Sequence, residues 1–214
     1  MDIKTGKDYA QMLLSIGAVS IRGEDALFTW ASGIKSPIYC DNRLVIGYPD
    51  IRKSIAKGIA QKMTADFGTA FDLVAATATA GIPHGAWVSD ILEKPMVYVR
   101  SSQKEHGKGN QIEGPYKAGQ RVLLVEDLLS TGGSSLKCVE ALEAEGLEVL
   151  KIYGIFNYGF ESMKARLAER GMPYETLTDY PTLLELLRDQ GKLTREEAER
   201  LALFSENPRI FTED

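Results

Sequence analysis

An α/β architecture, with a mostly parallel central sheet flanked by helices, follows from three features of this 214-residue chain. From Phe71 onward, short apolar runs alternate with helical stretches, an order that right-handed crossovers turn into a parallel sheet covered on both faces. The length suits one domain of ~100–200 residues, and nothing resembling a linker or an internal repeat divides it. Hydrophobic residues make up 44% of the sequence, enough for a sizeable core without a metal or disulfide staple.

Each element has a local signature. Tyr9, Met12, Leu13 and Ile16 recur at three- and four-residue spacing, which predicts a short helix within residues 1–20 that lies on the core by one face. The extended segments Leu27–Trp30 and Pro37–Asp41 flank ASGIKS, whose Gly and Ser predict the turn of a hairpin. Asp50 is placed as the cap of a helix carrying Ile51, Ile55, Ile59 and Met63 at every fourth position. FDLVAA (71–76), PMVYVR (95–100), RVLLVED (121–127) and EVLKIYGIF (148–156) read as strands. Helices are expected from about Ile82–Pro83, after the 121–127 strand, and over FESMKARLAERG, where Gly171 closes the last turn. The tail, roughly 180–206, is helical, with Thr194 and Glu197 forming a capping box. Between Arg100 and Gly114 the polar stretch SSQKEHGKGNQIE has no periodicity and is expected to be a mobile loop. The expected organisation is a single domain, 1–214, with a small N-terminal hood mainly within 1–45, a lid over 100–114 and the helical tail.

Charge and cysteine usage narrow the partners. With 25 Lys+Arg against 30 Asp+Glu, a net charge of -5 disfavours polyanions, so no nucleic-acid partner is expected. Cys40 and Cys138 are 98 positions apart, without a CxxC or a His cluster, and suit buried free thiols in a reducing cytoplasm better than a zinc site or a redox pair. The segment MDIKTGKDYAQMLL lacks the layout of a signal peptide, and no run approaches the ~18 apolar residues of a membrane span. A soluble cytoplasmic protein without a membrane partner is expected.

The richest chemistry lies in RVLLVEDLLSTGGSSL, residues 121–136. An apolar strand ends in Glu126 and Asp127, at the carboxyl edge of the sheet where α/β proteins bind ligands. The turn Ser130–Ser134 then supplies two glycines, hydroxyls and the amides of a helix N-terminus, a nest suited to phosphate. Carboxylates beside a phosphate nest make sense when the ligand puts donors between them, as a phosphorylated ribose does with its vicinal hydroxyls. The plain alternative is a βα turn with a capping serine and solvated acids, and the adjacency of two acids tells against it. GxxxxGK[ST], HExxH, EF-hand and GxSxG patterns are absent, and the Gly107–Lys108–Gly109 GxG has Ile112 where a third glycine would be needed.

In the lid, Arg100, Lys104, His106 and Lys108 offer cations, and Gly107, Gly109 and Gly114 offer flexibility. Charge-assisted hydrogen bonds of ~1.5–3 kcal/mol each would let such a loop order itself over a diphosphate. A solvated charged loop is the bland alternative, since Glu105 and Glu113 cancel part of the charge. ATATAGIPHGAW (76–87) is a candidate second anion nest, in which His84 reads as a packing residue rather than a catalyst. Trp30, Tyr39 and Lys35 could contact a planar ligand, with core packing the expected role of the two aromatics.

VLLVEDLLSTGGSS resembles the hallmark of the type I phosphoribosyltransferases, and RSSQKEHGKGNQIEG and FTWASGIKSPIYCDNR are similar to the orotate-specific branch. The resemblance spans roughly residues 10–160. It implies the type I phosphoribosyltransferase fold and conversion of orotate and 5-phosphoribosyl 1-diphosphate (PRPP) to orotidine 5'-monophosphate and diphosphate, in pyrimidine biosynthesis. It also implies Mg²⁺ held mainly by PRPP and a homodimer whose lid reaches into the partner's site. By matched position, Arg100, Lys104 and His106 hold the diphosphate, and Glu126 and Asp127 hold the ribose. Leu128, Leu129, Ser130, Thr131, Gly132, Gly133 and Ser134 form the 5-phosphate loop; Ser130 also touches orotate, and Lys104 and Asp127 are the catalytic pair. Ser101, Ala31 and Ala80 stand where many members carry lysine, and Tyr158 where an arginine binds orotate, so those roles do not carry over; Lys35 and amides near Ile38–Cys40 are the candidates for the orotate carboxylate. Two alternatives stay open. The 126–134 segment is blind to base identity, so another base is one. A PRPP-sensing regulator is the other, though it would want a basic DNA-binding extension.

Overall fold

The computed structural model describes residues 4–30, 32–101 and 111–212; Ala31, Lys104, His106 and Lys108 therefore lie outside the described residues. The chain opens with α1 (Gly6–Ser15), β1 (Val19–Ile21), β2 (Phe28–Thr29), β3 (Lys35–Ser36) and β4 (Ile38–Cys40). A 3-10 segment (Asn42–Gly47) leads into α2 (Pro49–Phe67), β5 (Leu73–Thr77), α3 (Gly81–Leu92), β6 (Met96–Val99) and β7 (Ile112–Glu113). Then follow β8 (Arg121–Leu129), α4 (Gly133–Ala144), β9 (Glu148–Asn157), α5 (Glu161–Glu169), β10 (Tyr174–Asp179), α6 (Tyr180–Asp189) and α7 (Arg195–Glu206).

Six strands form the central sheet in the order β10-β9-β8-β5-β6-β7, parallel throughout except for the antiparallel β6–β7 pair. The alternating apolar runs are its strands, and β5 is buried along its whole length, as a two-faced sheet requires. Chain order runs outward from β5 in both directions, to β6 on one side and β8 on the other. That reversal opens a crevice at the carboxyl ends of β5 and β8, where this class of sheet binds ligands.

Four local expectations are corrected. The hairpin closes tighter than the Leu27–Trp30 and Pro37–Asp41 segments imply: β2 pairs with Lys35–Ser36, inside the stretch read as turn, while β4 turns away to pair with β1. The cap of α2 is Tyr48, with Pro49 in the first turn, where its fixed φ and missing N–H suit it; Asp50 lies one residue inside. The 100–114 segment is not all loop, because Ile112–Glu113 is the edge strand β7 and the Arg100 amide donates to the Gln111 carbonyl at 2.9 Å. Gly114 serves close approach there rather than flexibility: at φ +111° a Cβ would sit 2.9 Å from the Met96 carbonyl oxygen. The capping box of Thr194 and Glu197, by contrast, forms as read.

Among the described residues no helix is long and apolar enough to cross a membrane. Cys40 and Cys138 are free and buried, and burial pushes the Cys138 thiol up to about 12. His84 is fully buried on α3, edge-on to Trp87, with neither ring nitrogen hydrogen-bonded, and burial lowers its pKa to about 4. It is a packing residue. Its folded pKa lies below the ordinary value of 6.5, so the unfolded chain takes up the proton first as pH falls, and stability is lost from about pH 6.5 down to about 4. His84→Leu is expected to flatten this acid limb by about 3 kcal/mol, measured by urea unfolding across that range. An unchanged limb would assign acid sensitivity to other groups.

Candidate active site

The crevice between β5 and β8 is a cleft of about 490 Å³ whose wall includes the turn Thr77–Ala80, Arg100, Ser101, Gln111, Asp127 and Lys137. A larger recess of about 670 Å³ lies between Gly23–Asp25 and the start of α7, but Glu24, Asp25, Glu196 and Glu197 line it and would repel an anion.

β8 runs two residues past the 121–127 segment read as strand, so Glu126 and Asp127 lie near its end rather than at it. The ladder to β5 stops at Val125, while pairing to β9 continues to Leu129. Past Val125 one edge of β8 therefore faces the cleft. Gly81 makes the approach of α3 possible, since a Cβ would lie 2.7 Å from Thr77 Oγ1 and 3.0 Å from the Val125 carbonyl oxygen.

The two acids differ in environment. Glu126 is 5% exposed, and its carboxyl accepts from Thr77 Oγ1 at 2.5 Å, the Asp127 amide at 3.1 Å and Ser135 Oγ at 2.8 Å. Burial, reinforced by the neighbouring Asp127 charge, raises its pKa to about 8 against the pull of the Thr77 bond. Three donors thus occupy the Glu126 carboxyl, which also lines the cleft and keeps one position, an O–H while the group is protonated. Asp127 is half-buried on the cleft wall, and burial raises its pKa in part against hydrogen bonding from Glu126 and nearby amides.

Ser130, Thr131 and Gly132 make the turn into α4, and Gly132 at φ +75° takes the left-handed conformation that glycine permits. Arg166 of α5 steadies it by donating from Nη1 to the Thr131 carbonyl at 3.0 Å. The first amides of α4, at Gly133 and Ser134, complete the nest. Leu128 and Leu129 belong to β8 rather than to the loop, and Leu129 is sealed in the core. The loop proper is therefore shorter than 128–134.

Arg100 lies beside the cleft with Nη1 buried and without a hydrogen-bond partner, 3.8 Å from Glu113 Oε1. Lys137, one turn into α4, was not singled out from sequence; the i, i+3 relation to Ser134 on the helix is the signal that places it on the same wall. Arg166 was likewise missed, because nothing local links α5 to the 130–132 turn. Lys35 stands apart from the cleft, exposed on the hairpin with Nζ donating to Thr29 Oγ1 at 2.9 Å. Trp30 packs against Tyr158, Phe160 and Phe204 as a core aromatic, whereas Tyr39 is 46% exposed, contrary to a packing role. Tyr158 is buried, and burial raises its hydroxyl pKa.

The family model of the phosphoribosyl transferase domain matches residues 49–183. An orotate phosphoribosyltransferase of Listeria monocytogenes is 56% identical over 202 residues, covering 94% of this chain and 96% of the relative. The crystal structure of orotate phosphoribosyltransferase from Aeropyrum pernix superposes with a TM-score of 0.71 at 32% identity, covering 83% of this chain and 97% of that one. Leishmania donovani UMP synthase gives a TM-score of 0.77 at 29% identity over 94% of this chain and 42% of that one. With the acid pair, the phosphate nest and the switch-point cleft in place, these matches show that the chain belongs to the orotate phosphoribosyltransferase family.

Proposed function

We propose that the cleft transfers the phosphoribosyl group of PRPP to a ring nitrogen of orotate, giving orotidine 5'-monophosphate and diphosphate. The observation that carries the reading is the pair Glu126 and Asp127 beside a phosphate nest at the β5/β8 crevice. The 5-phosphate lies on the amides of Ser130–Ser134, the ribose hydroxyls donate to Asp127 and pair with the remaining position of the Glu126 carboxyl, and the diphosphate extends along the Thr77–Ala80 turn toward Arg100 and Lys137.

Displacement at the anomeric carbon builds positive charge on the sugar and negative charge on the departing diphosphate, so positioning and electrostatics supply the catalysis. Asp127 offsets the sugar's charge, Arg100 the leaving group's, and Lys104 and His106 of the lid join Arg100 on the diphosphate. Lid closure excludes water that would hydrolyse PRPP. Orotate itself is the nucleophile, and Ser130 lies where the base meets the ribose. Mg²⁺ is held mainly by PRPP oxygens in this reading. The ion, when bound, neutralises diphosphate charge. A cytoplasmic homodimer with lids reaching across the interface completes the proposal; light scattering is expected to give twice the chain mass.

The test follows orotate absorbance with PRPP and Mg²⁺, together with diphosphate release, in parallel with uracil, hypoxanthine and xanthine. Orotate loss matched by diphosphate is expected. Activity with another base alone would discard the base assignment, and silence with every base would point to a PRPP sensor.

A further inference from the structure

We infer that Asn42 is a positioning residue that couples the hood, which faces the base, to the end of β8, which holds the ribose. The inference rests on the reading of Asp127 as a ribose ligand.

Asn42 follows β4 and is 1% exposed. Its Nδ2 donates to the Asp127 main-chain carbonyl at 2.6 Å, across 85 positions of sequence. Among the described residues this is the only hydrogen bond between residues 4–48 and 126–134. The orientation of the carboxamide is set from both ends, because Oδ1 faces the Cys40 thiol, which donates at 3.5 Å, and a flipped amide would set Oδ1 against the Asp127 carbonyl. The need for the bond comes from the sheet: pairing with β5 ends at Val125, so the exposed edge of β8 beyond it requires donors from elsewhere.

The consequence is mechanical. In-line attack needs the base nitrogen and the anomeric carbon held about 3–3.5 Å apart and aligned. The Ile38–Cys40 stretch lies on one side of Asn42 in sequence, and the Asp127 backbone lies on the other side in space. A buried, correctly satisfied bond between them fixes the distance from base subsite to ribose subsite without touching either substrate. Asn42 therefore contributes little to binding PRPP alone and much to any state that spans both halves.

Asn42→Ala and the milder Asn42→Ser, whose hydroxyl can still donate over a longer gap, test this with thermal melts as the control for folding. PRPP affinity is expected to stay within about 3-fold of the parent, while kcat/KM for orotate falls and the Kd of orotidine 5'-monophosphate rises, each by about 10- to 100-fold for Ala and less for Ser. Should the Ala variant fail to fold, the Ser variant carries the measurement. Unchanged orotate kinetics would overturn the coupling, and so would equal weakening of PRPP and product, which is what general loosening produces. Asp127→Asn, measured alongside, separates the two readings. Normal PRPP affinity there removes the ribose assignment and the coupling with it; weakened affinity with an indifferent Asn42 sinks the coupling alone.

Discussion

Asp127→Asn is expected to raise the dissociation constant of PRPP about 3- to 30-fold, because hydrogen bonds to a charged acceptor contribute about 1.5–3 kcal/mol against about 1 for neutral pairs. The substitution keeps side-chain volume and one acceptor oxygen. It also leaves the main-chain carbonyl that Asn42 holds in place, so the fold should tolerate it. What it removes is negative charge on a half-buried wall of the cleft, where screening by water is reduced. The turnover number is expected to fall as well, since the oxocarbenium-like sugar carries more positive charge than ground-state PRPP. Titration calorimetry with PRPP and Mg²⁺, together with steady-state rates, gives both quantities. Parent-like PRPP affinity would remove Asp127 from the ribose, and weakened binding with an unchanged kcat would remove it from the transition state.

The parts of this molecule legible in its sequence are those written over a few adjacent residues. Alternating apolar runs, the Thr194–Glu197 box and the Glu126–Asp127 pair before the Ser130–Ser134 turn are of this kind, and the sheet and cleft are built from them. Three short strands escaped, because β1, β3 and β7 are too short to show a period of two, and so did β10, YETLTD, which mixes polar and apolar residues without alternation. Side-chain closure over distance escaped as well. Thr77 and Ser135 hold Glu126 from 49 and 9 positions away, and only the parallel register of β5 and β8, with α4 folded back, brings them together. The hairpin neighbour of Lys35 escaped too, for nothing local shows that its Nζ donates to Thr29 Oγ1. The 3-10 segment likewise gives no local sign that Asn42 meets Asp127.

That closure around Glu126 leads to the second large effect, a loss of stability as pH rises. Its folded pKa of about 8 lies above the ordinary carboxyl value of 4.5, so between these limits the unfolded chain releases a proton that the folded chain retains. Stability is fully present below about pH 4.5 and declines until about pH 8, with the coupled Asp127 titrating as part of the same unit. The shift corresponds to a few kcal/mol across the interval. Glu126→Gln replaces the titrating group with a neutral one of equal size, and the Thr77 and Ser135 hydroxyls can rotate to accept from its amide. Chemical unfolding of both proteins at pH 5 and pH 8 is the measurement. The parent is expected to lose stability over that interval and the variant to lose markedly less, so that the gap between them closes or reverses at pH 8. Parallel declines would mean that Glu126 is ionised in the folded protein, with its three donors outweighing its burial. PRPP affinity of the same variant then gives the functional side. Glu126 lines the cleft with one position of its carboxyl not yet bonded, so a weakened but measurable affinity is expected, smaller in effect than the loss at Asp127.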